Sequence, residues 1–333
     1  NNEIWTDNNT ASAGHAVEAD GFDGLNPDDA IIKPFDTTGY ENIKVRYSRR
    51  ISNFSGFDNF KARYSTDGGV SWTNLESLDS DTSFGSMIFG PLAGADDNLN
   101  FQIRFEVNAN NSGDNSHIDD VVVWGEPIPS LTVIKSVIND NGGLKIVSDF
   151  PLFVGATGVT SGVQEEFSAG TYIVSETGDP QYSAVISGDC AEDGSITLVP
   201  GDIKTCTITN DDIAPTIKIF KTVINDNGGS AVENDFSFSL DSIPGLFHNI
   251  AATTTAGSHI VSENFFFGYA PSVWGGDCNS DGSITLALDQ DAVCTITNDD
   301  IAPKLTVIKI INNNDGGLLN VADFSLFVNE NPV

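Results

Sequence analysis

The chain has 333 residues, enough for two or three domains, and sets 47 Asp and Glu against 15 Lys and Arg for a net charge of −32. A field of that sign repels nucleic acid and anionic membrane, so neither is expected as a partner, while divalent cations are attracted. With 32 Gly, 13 Pro and one Met, the composition suits short strands and turns, and an all-β fold is expected. No run approaches the ~20 apolar residues of a membrane-spanning helix. The opening Asn1-Asn2-Glu3-Ile4-Trp5 is no leader pattern, as expected of a mature or excised form.

Residues 1–129 form the first predicted domain. Phe60-Lys-Ala-Arg-Tyr64 leads through a tight Asp67-Gly68-Gly69 turn to a second strand at Trp72. Phe101-Gln-Ile-Arg-Phe-Glu-Val107 alternates apolar and polar, and His117-Ile-Asp-Asp-Val-Val-Val-Trp124 closes the domain. The order Y-S-T-D-G-G-x-S-W … F-Q-I-R-F … I-D-D-V-V-V resembles the jelly-roll modules of secreted enzymes and adhesins, of the MAM and carbohydrate-binding kind. That resemblance implies a β-sandwich head with a glycan or protein ligand. It also implies a structural Ca²⁺ between an N-terminal acid and the last strand, with Asp20, Asp23, Asp119 and Asp120 as candidate ligands. Solvated turn carboxylates are the alternative. Trp72 and Trp124 suit either sugar stacking or the core.

From residue 130 the chain repeats itself. Leu131-Thr-Val-Ile-Lys135 … Asn139-Asp-Asn-Gly-Gly143 returns as Thr216-Ile-Lys-Ile-Phe-Lys221 … Asn225-Asp-Asn-Gly-Gly229, and again from Leu305 to Lys309. Ala169-Gly-Thr-Tyr-Ile-Val-Ser-Glu176 matches Ala256-Gly-Ser-His-Ile-Val-Ser-Glu263. Cys206-Thr-Ile-Thr-Asn210 matches Cys294-Thr-Ile-Thr-Asn298. The expected domains are 130–214, 215–302 and an incomplete third at 303–333. Each complete repeat reads as an antiparallel sandwich of about seven strands. The Ile-Ala-Pro junctions read as stiff linkers that hold neighbours in a rod. The Asn-Asp-Asn-Gly-Gly runs lack EF-hand ligand spacing and read as hairpin turns.

Side-chain alternation places Leu131, Val133 and Lys135 on one face, and likewise Ile217, Ile219 and Lys221. Val174 and Glu176 share a face, as do Val261 and Glu263; so do Cys206, Ile208 and Asn210, and Cys294, Ile296 and Asn298. A Lys, a Glu and an Asn therefore converge on each core, where lone charges are costly. Desolvation favours the neutral forms of an amine and a carboxyl. The amine then attacks the Asn carboxamide carbon, the carboxyl polarises its oxygen, and ammonia leaves a Lys–Asn isopeptide bond. A buried salt bridge with an amide partner, or a lysine that snorkels to a strand end, is the plainer alternative. The ordered pattern L-T-V-I-K … A-G-T-Y-I-V-S-E … C-T-I-T-N resembles the prealbumin-like (SpaA/CnaB-type) domains of bacterial pilins and surface adhesins. The resemblance implies bonds Lys135–Asn210 and Lys221–Asn298, assisted by Glu176 and Glu263.

Cys190 and Cys206 lie 16 apart, as do Cys278 and Cys294, which reads as one disulfide per repeat and an oxidising compartment. Many isopeptide-bearing relatives lack cysteines, so the disulfide either replaces the amide or adds to it. No G-x-S-x-G, H-E-x-x-H or phosphate loop occurs, and the four histidines hold no equivalent positions, so catalysis is not expected. The expectation is a non-catalytic extracellular or cell-surface protein, bacterial or archaeal: an adhesin, stalk or filament component. Two alternatives stand beside it. One is a filament subunit whose incomplete third repeat accepts a neighbour's strand; the other is a carbohydrate-binding assembly of a secreted enzyme.

Overall fold

The computed structural model describes residues 3–6, 17–20, 29–108 and 115–332. Among these, the regular elements are strands and three-residue 3-10 turns, and the fold is all-β. Asp23 lies outside the described residues. Two compact units divide the chain: 1–137, 146–179 and 184–210 in one, 138–145, 180–183 and 211–333 in the other. The division cuts through the first repeat and assigns two of its loops to the second unit.

The described head strands are β1 (Glu3–Thr6), β2 (Val17–Asp20), β3 (Asp29–Phe35), β4 (Tyr40–Ser52), β5 (Asn59–Ser65), β6 (Thr73–Leu78), β7 (Thr82–Phe89), β8 (Phe101–Asn108) and β9 (Asn115–Pro127). One sheet runs β1-β9-β4-β7 with β2 also on β9; the other runs β3-β8-β5-β6. Alternation sets the inward faces: Phe60, Ala62 and Tyr64 of β5 and Phe101, Ile103 and Phe105 of β8 are buried, meeting Val45, Tyr47 and Val123 of the other sheet. Trp72 is half-buried beneath the Arg104 guanidinium, 5.5 Å from its ring.

The first repeat contains β10 (Ser130–Ile138), β11 (Leu152–Val154), β12 (Thr157–Val159), β13 (Gln164–Glu166), β14 (Gly170–Glu176), β15 (Tyr182–Gly188), β16 (Ser195–Leu198) and β17 (Ile203–Asp212). They form sheets β13-β10-β17-β15 and β12-β11-β14-β16. The second repeat contains β18 (Thr216–Ile224), β19 (Ser237–Leu240), β20 (Ile243–Phe247), β21 (Ala251–Thr253), β22 (Gly257–Glu263), β23 (Tyr269–Pro271), β24 (Gly275–Gly276), β25 (Ser283–Leu286) and β26 (Asp291–Asp300). Its sheets run β21-β18-β26-β23, with β24 also on β26, and β20-β19-β22-β25.

Three sequence expectations change here. First and last strands are neighbours, but β18 and β26 run parallel, in continuous register from Thr216↔Asp291 to Ile224↔Asp299. The Asn-Asp-Asn-Gly-Gly loops are not hairpin turns: the first leaves β10 in one sheet and delivers the chain to β11 in the other. In the third copy, Leu305 to Ile311 forms no strand. A strand needs at least one ladder partner; β18 has β21 and β26, and no counterpart of either lies within 303–332. That segment keeps a 3-10 turn at Val321–Asp323 and a hairpin of β27 (Phe327–Val328) and β28 (Asn331–Pro332).

Candidate functional site

In the second repeat, Ile217, Ile219 and Lys221 point inward from β18, and Lys221 is 1% exposed. Its Nζ is 2.7 Å from Glu263 Oε1 on β22 and 4.4 Å from the centroid of the Phe236 ring. Burial lowers the lysine's proton affinity; the Glu263 carboxylate opposes that shift without cancelling it. Asn298 on β26 is 2% exposed. Parallel pairing sets Lys221 opposite Ile296, with Asn298 two residues on along the same face. Strand spacing and rise put that diagonal at about 8 Å between Cα atoms, within the joint reach of the two side chains. The buried Oδ1 of Asn298 finds no hydrogen-bond partner among the described residues. An orphaned buried carbonyl costs about 1–3 kcal/mol.

The first repeat presents the same set. Lys135 Nζ lies 2.9 Å from Glu176 Oε2, 4.8 Å from the Phe150 ring centroid and 3.5 Å from the Ile208 carbonyl, two residues before Asn210. The approach to Glu176 is close but not aligned as a hydrogen bond, and both carboxyl oxygens remain without one. Burial again lowers the lysine's proton affinity against the pull of Glu176. Both Oδ1 and Nδ2 of Asn210 are buried and unpartnered among the described residues. Each repeat thus places a Lys, a Glu and an Asn in the same core. Disulfides join Cys190 to Cys206 and Cys278 to Cys294, with Cα atoms 5.3 and 5.1 Å apart.

The family model described as a prealbumin-like fold domain matches twice, over residues 127–208 and 212–296, just over half of the chain. The chain belongs to this prealbumin-like family. No curated protein matches it. Among solved structures, the Bacillus anthracis TIE protein is 11% identical, covers 84% of this chain and 59% of its own, and has a TM-score of 0.36. The pilus adhesin SpaC of Lactobacillus rhamnosus GG is 11% identical with 78% and 42% covered and a TM-score of 0.25. The major pilin T-13 of Streptococcus pyogenes is 13% identical with 86% and 100% covered and a TM-score of 0.19. The chain therefore spans 59% and 42% of the first two, and at such scores none of the three carries weight here.

The prealbumin-like repeats also use residues that sequence reasoning passed over. Asn141 N–H and Gly143 N–H donate to the Asp212 carboxylate at 3.0 and 2.6 Å. Tyr182 Oη donates to Asn139 Oδ1 at 2.8 Å and accepts Lys145 N–H at 3.2 Å. Asp300, Tyr269 and Asn225 repeat the clamp in the second domain. Burial works against the charge on Asp212, but the N–H groups of Gly143 and Asn141 outweigh it and hold the carboxyl below its ordinary range. The carboxylates of Asp140, Asp211 and Asp212, and of Asp226, Asp299 and Asp300, gather closely, with Asp212 and Asp300 committed to amide donors. The signal was available in the repeated C-T-I-T-N-D-D and in the paired tyrosines.

The head carboxylates are less convergent. Asp119 accepts the Asp120 N–H at 2.8 Å, and Asp120 accepts the Ser48 hydroxyl at 3.3 Å. Asp20 stands opposite Asn115, four residues before Asp119 on the same strand. That is about 13 Å along the strand, so the register does not bring Asp20 together with Asp119 and Asp120. His259, at the place of Tyr172, has Nδ1 2.7 Å from Asp241 Oδ2 and Nε2 2.8 Å from the Thr255 carbonyl, a structural brace.

Proposed function

We propose that this chain is a non-catalytic bacterial cell-surface protein of the pilus or adhesin type, in which prealbumin-like repeats form a load-bearing stalk. The carrying observation is the buried Lys–Glu–Asn set, present twice with unpartnered Asn oxygens. It supports two intradomain isopeptide bonds, Lys135–Asn210 and Lys221–Asn298, in addition to the disulfides. In each, Lys Nζ bonds to Asn Cγ, the Asn nitrogen departs as ammonia, and Glu176 or Glu263 carries the proton between them. The resulting amide oxygen then takes a hydrogen bond from the protonated carboxyl. The N-terminal sandwich, read as jelly-roll-like, is the ligand-binding head for a glycan or protein. Intact mass of the unreduced protein tests this reading: about 34 Da lost as two ammonia molecules and about 4 Da as four hydrogens at the disulfides. A mass lacking the larger loss rejects the amides.

A second reading rests on the third copy. Leu305, Ile308 and Ile310 are 73, 77 and 81% exposed on a segment without ladder partners, which supports strand acceptance from another molecule and filament growth. Concentration-dependent polymerisation by size-exclusion chromatography, lost on replacing these residues by Ser, tests it.

A further inference from the structure

Gly142 and Gly228 occupy the same place in the two Asn-Asp-Asn-Gly-Gly loops and share a φ of 97°. Their surroundings differ. A Cβ on Gly142 would lie 2.8 Å from the Ala256 carbonyl oxygen, whereas one on Gly228 meets nothing within 4 Å. Ala256 begins the Ala-Gly turn ahead of β22, and its N–H donates to the Asn141 carbonyl at 2.7 Å. Beside it, Asp289 N–H donates to the Ile213 carbonyl at 2.9 Å and Gln181 Nε2 to the Leu288 carbonyl at 3.3 Å. All of these residues belong to the second compact unit.

The first unit shows the same device. Ala169, which begins the matching Ala-Gly turn of the first repeat, donates its N–H to Glu41 Oε1 of the head at 2.9 Å. Gly201 N–H donates to the Pro127 carbonyl at 2.9 Å. Each repeat therefore seats backward on what precedes it through the amide of its Ala-Gly turn and one backbone amide of a nearby turn.

The counterparts at the far end of the second repeat are the Asn227 carbonyl, Gly228 and the Ile301 carbonyl. Ile301 N–H bonds the Gly268 carbonyl as Ile213 N–H bonds the Gln181 carbonyl, both at about 2.9–3.0 Å, so the scaffold is the same. Asn227 is exposed where Asn141 is half-buried. We propose that this face is a docking surface for a following prealbumin-like repeat, seated by the N–H of its small-residue-Gly turn on the Asn227 carbonyl and by a second amide on the Ile301 carbonyl. The equivalent face of the first repeat holds such a partner already. Residues 303–332 carry the loop, 3-10 turn and hairpin with which a repeat begins. A second copy of the chain does not fit, because its Ala169 and Ala256 amides are both engaged. The inference does not depend on the isopeptide bonds.

The test joins a further copy of residues 216–302 after Pro303 of the full chain. A third disulfide, seen by mass, reports that the added repeat has folded. The expected result is exchange of the added Ala amide slowed at least about tenfold relative to the unstructured chain, matching Ala256. Gly228→Val should release that protection and lower Tm more than the same change does in the chain ending at Pro303. Strain at positive φ is common to both and cancels. Free exchange of the added amide beside an intact third disulfide overturns the proposal, as does an equal effect of Gly228→Val in both chains. An added repeat that fails to form its disulfide also counts against it. Dimerisation of the unextended chain that Gly228→Val abolishes reassigns the face to a second copy. In the unaltered chain, Gly142→Val must speed exchange at Ala256; unchanged exchange removes the rule on which the docking face rests.

Discussion

Glu263→Gln tests the proposed covalent step in the second repeat. Glutamine keeps the shape of the side chain beside Lys221 Nζ but cannot take up and return a proton, so the amide should not form. The proposed bond would close a loop of 77 residues, from Lys221 to Asn298. By the chain-entropy relation used for disulfides, that closure removes about 15 cal/mol/K from the unfolded state, or about 4.5 kcal/mol at 25 °C. For a domain near 88 residues, the spacing of Lys221 and Lys309, each kcal/mol moves Tm by roughly 4–8 °C, so the loss is on the order of 20–35 °C. The first repeat keeps its own staple and serves as the internal control. Intact mass should show one fewer ammonia loss, about 17 Da, after allowing for the substitution itself. Calorimetry should show one transition falling while the other stays. Two outcomes refute the reasoning: a variant that still loses both ammonia molecules, or an uncrosslinked variant whose two transitions remain where they were.

Replacing Cys278 and Cys294 together by Ser opens a loop of 16 residues and should cost about 3 kcal/mol in urea unfolding, leaving the ammonia losses intact. Asp212→Ala leaves the Asn141 and Gly143 amides without their acceptor and should cost on the order of 3 kcal/mol. The folded Asp212 carboxyl lies below its ordinary 3.8, so its contribution is present above pH 3.8 and lost as pH falls through the lower folded value. Exchange at Gly143 should accelerate only in that acid window. Asn298→Ala keeps Lys221 as a free buried amine with proton affinity below the ordinary 10.5. The unfolded chain then binds more protons, so stability rises with pH until about 10.5. Denaturant titrations should show that slope in the variant and not in the crosslinked protein.

The repeat, the strand parity and the inward Lys, Glu and Asn were legible because β-structure writes burial as a period of two, and two near-copies print the pattern twice. Lys135 and Lys221 stand out as the only charges on otherwise apolar rows. What stayed illegible depends on partners distant in sequence. Tyr182 and Asp212 act on the Asn139 loop from 43 and 71 residues away, measured from Asn139 and Asn141. The repeated C-T-I-T-N-D-D and the paired tyrosines flag these residues, but nothing near them in sequence names the loop they clamp. The parallel sense of β18 and β26 likewise follows from how the chain changes sheets, which local alternation does not encode. The first strand of the third copy was misread because a strand pattern states a preference, while a ladder requires a neighbour.

The parallel pairing of β18 with β26 decides how tension acts on the second repeat. The chain enters at the start of one strand and leaves at the end of the other, so pulling slides the two along each other and strains all nine paired positions together. Peeling, in which contacts break one by one at low force, is not available to this geometry. Without the proposed Lys221–Asn298 bond, a domain wired this way gives at a single high threshold; with it, the load passes through the covalent link and the strands cannot slide apart.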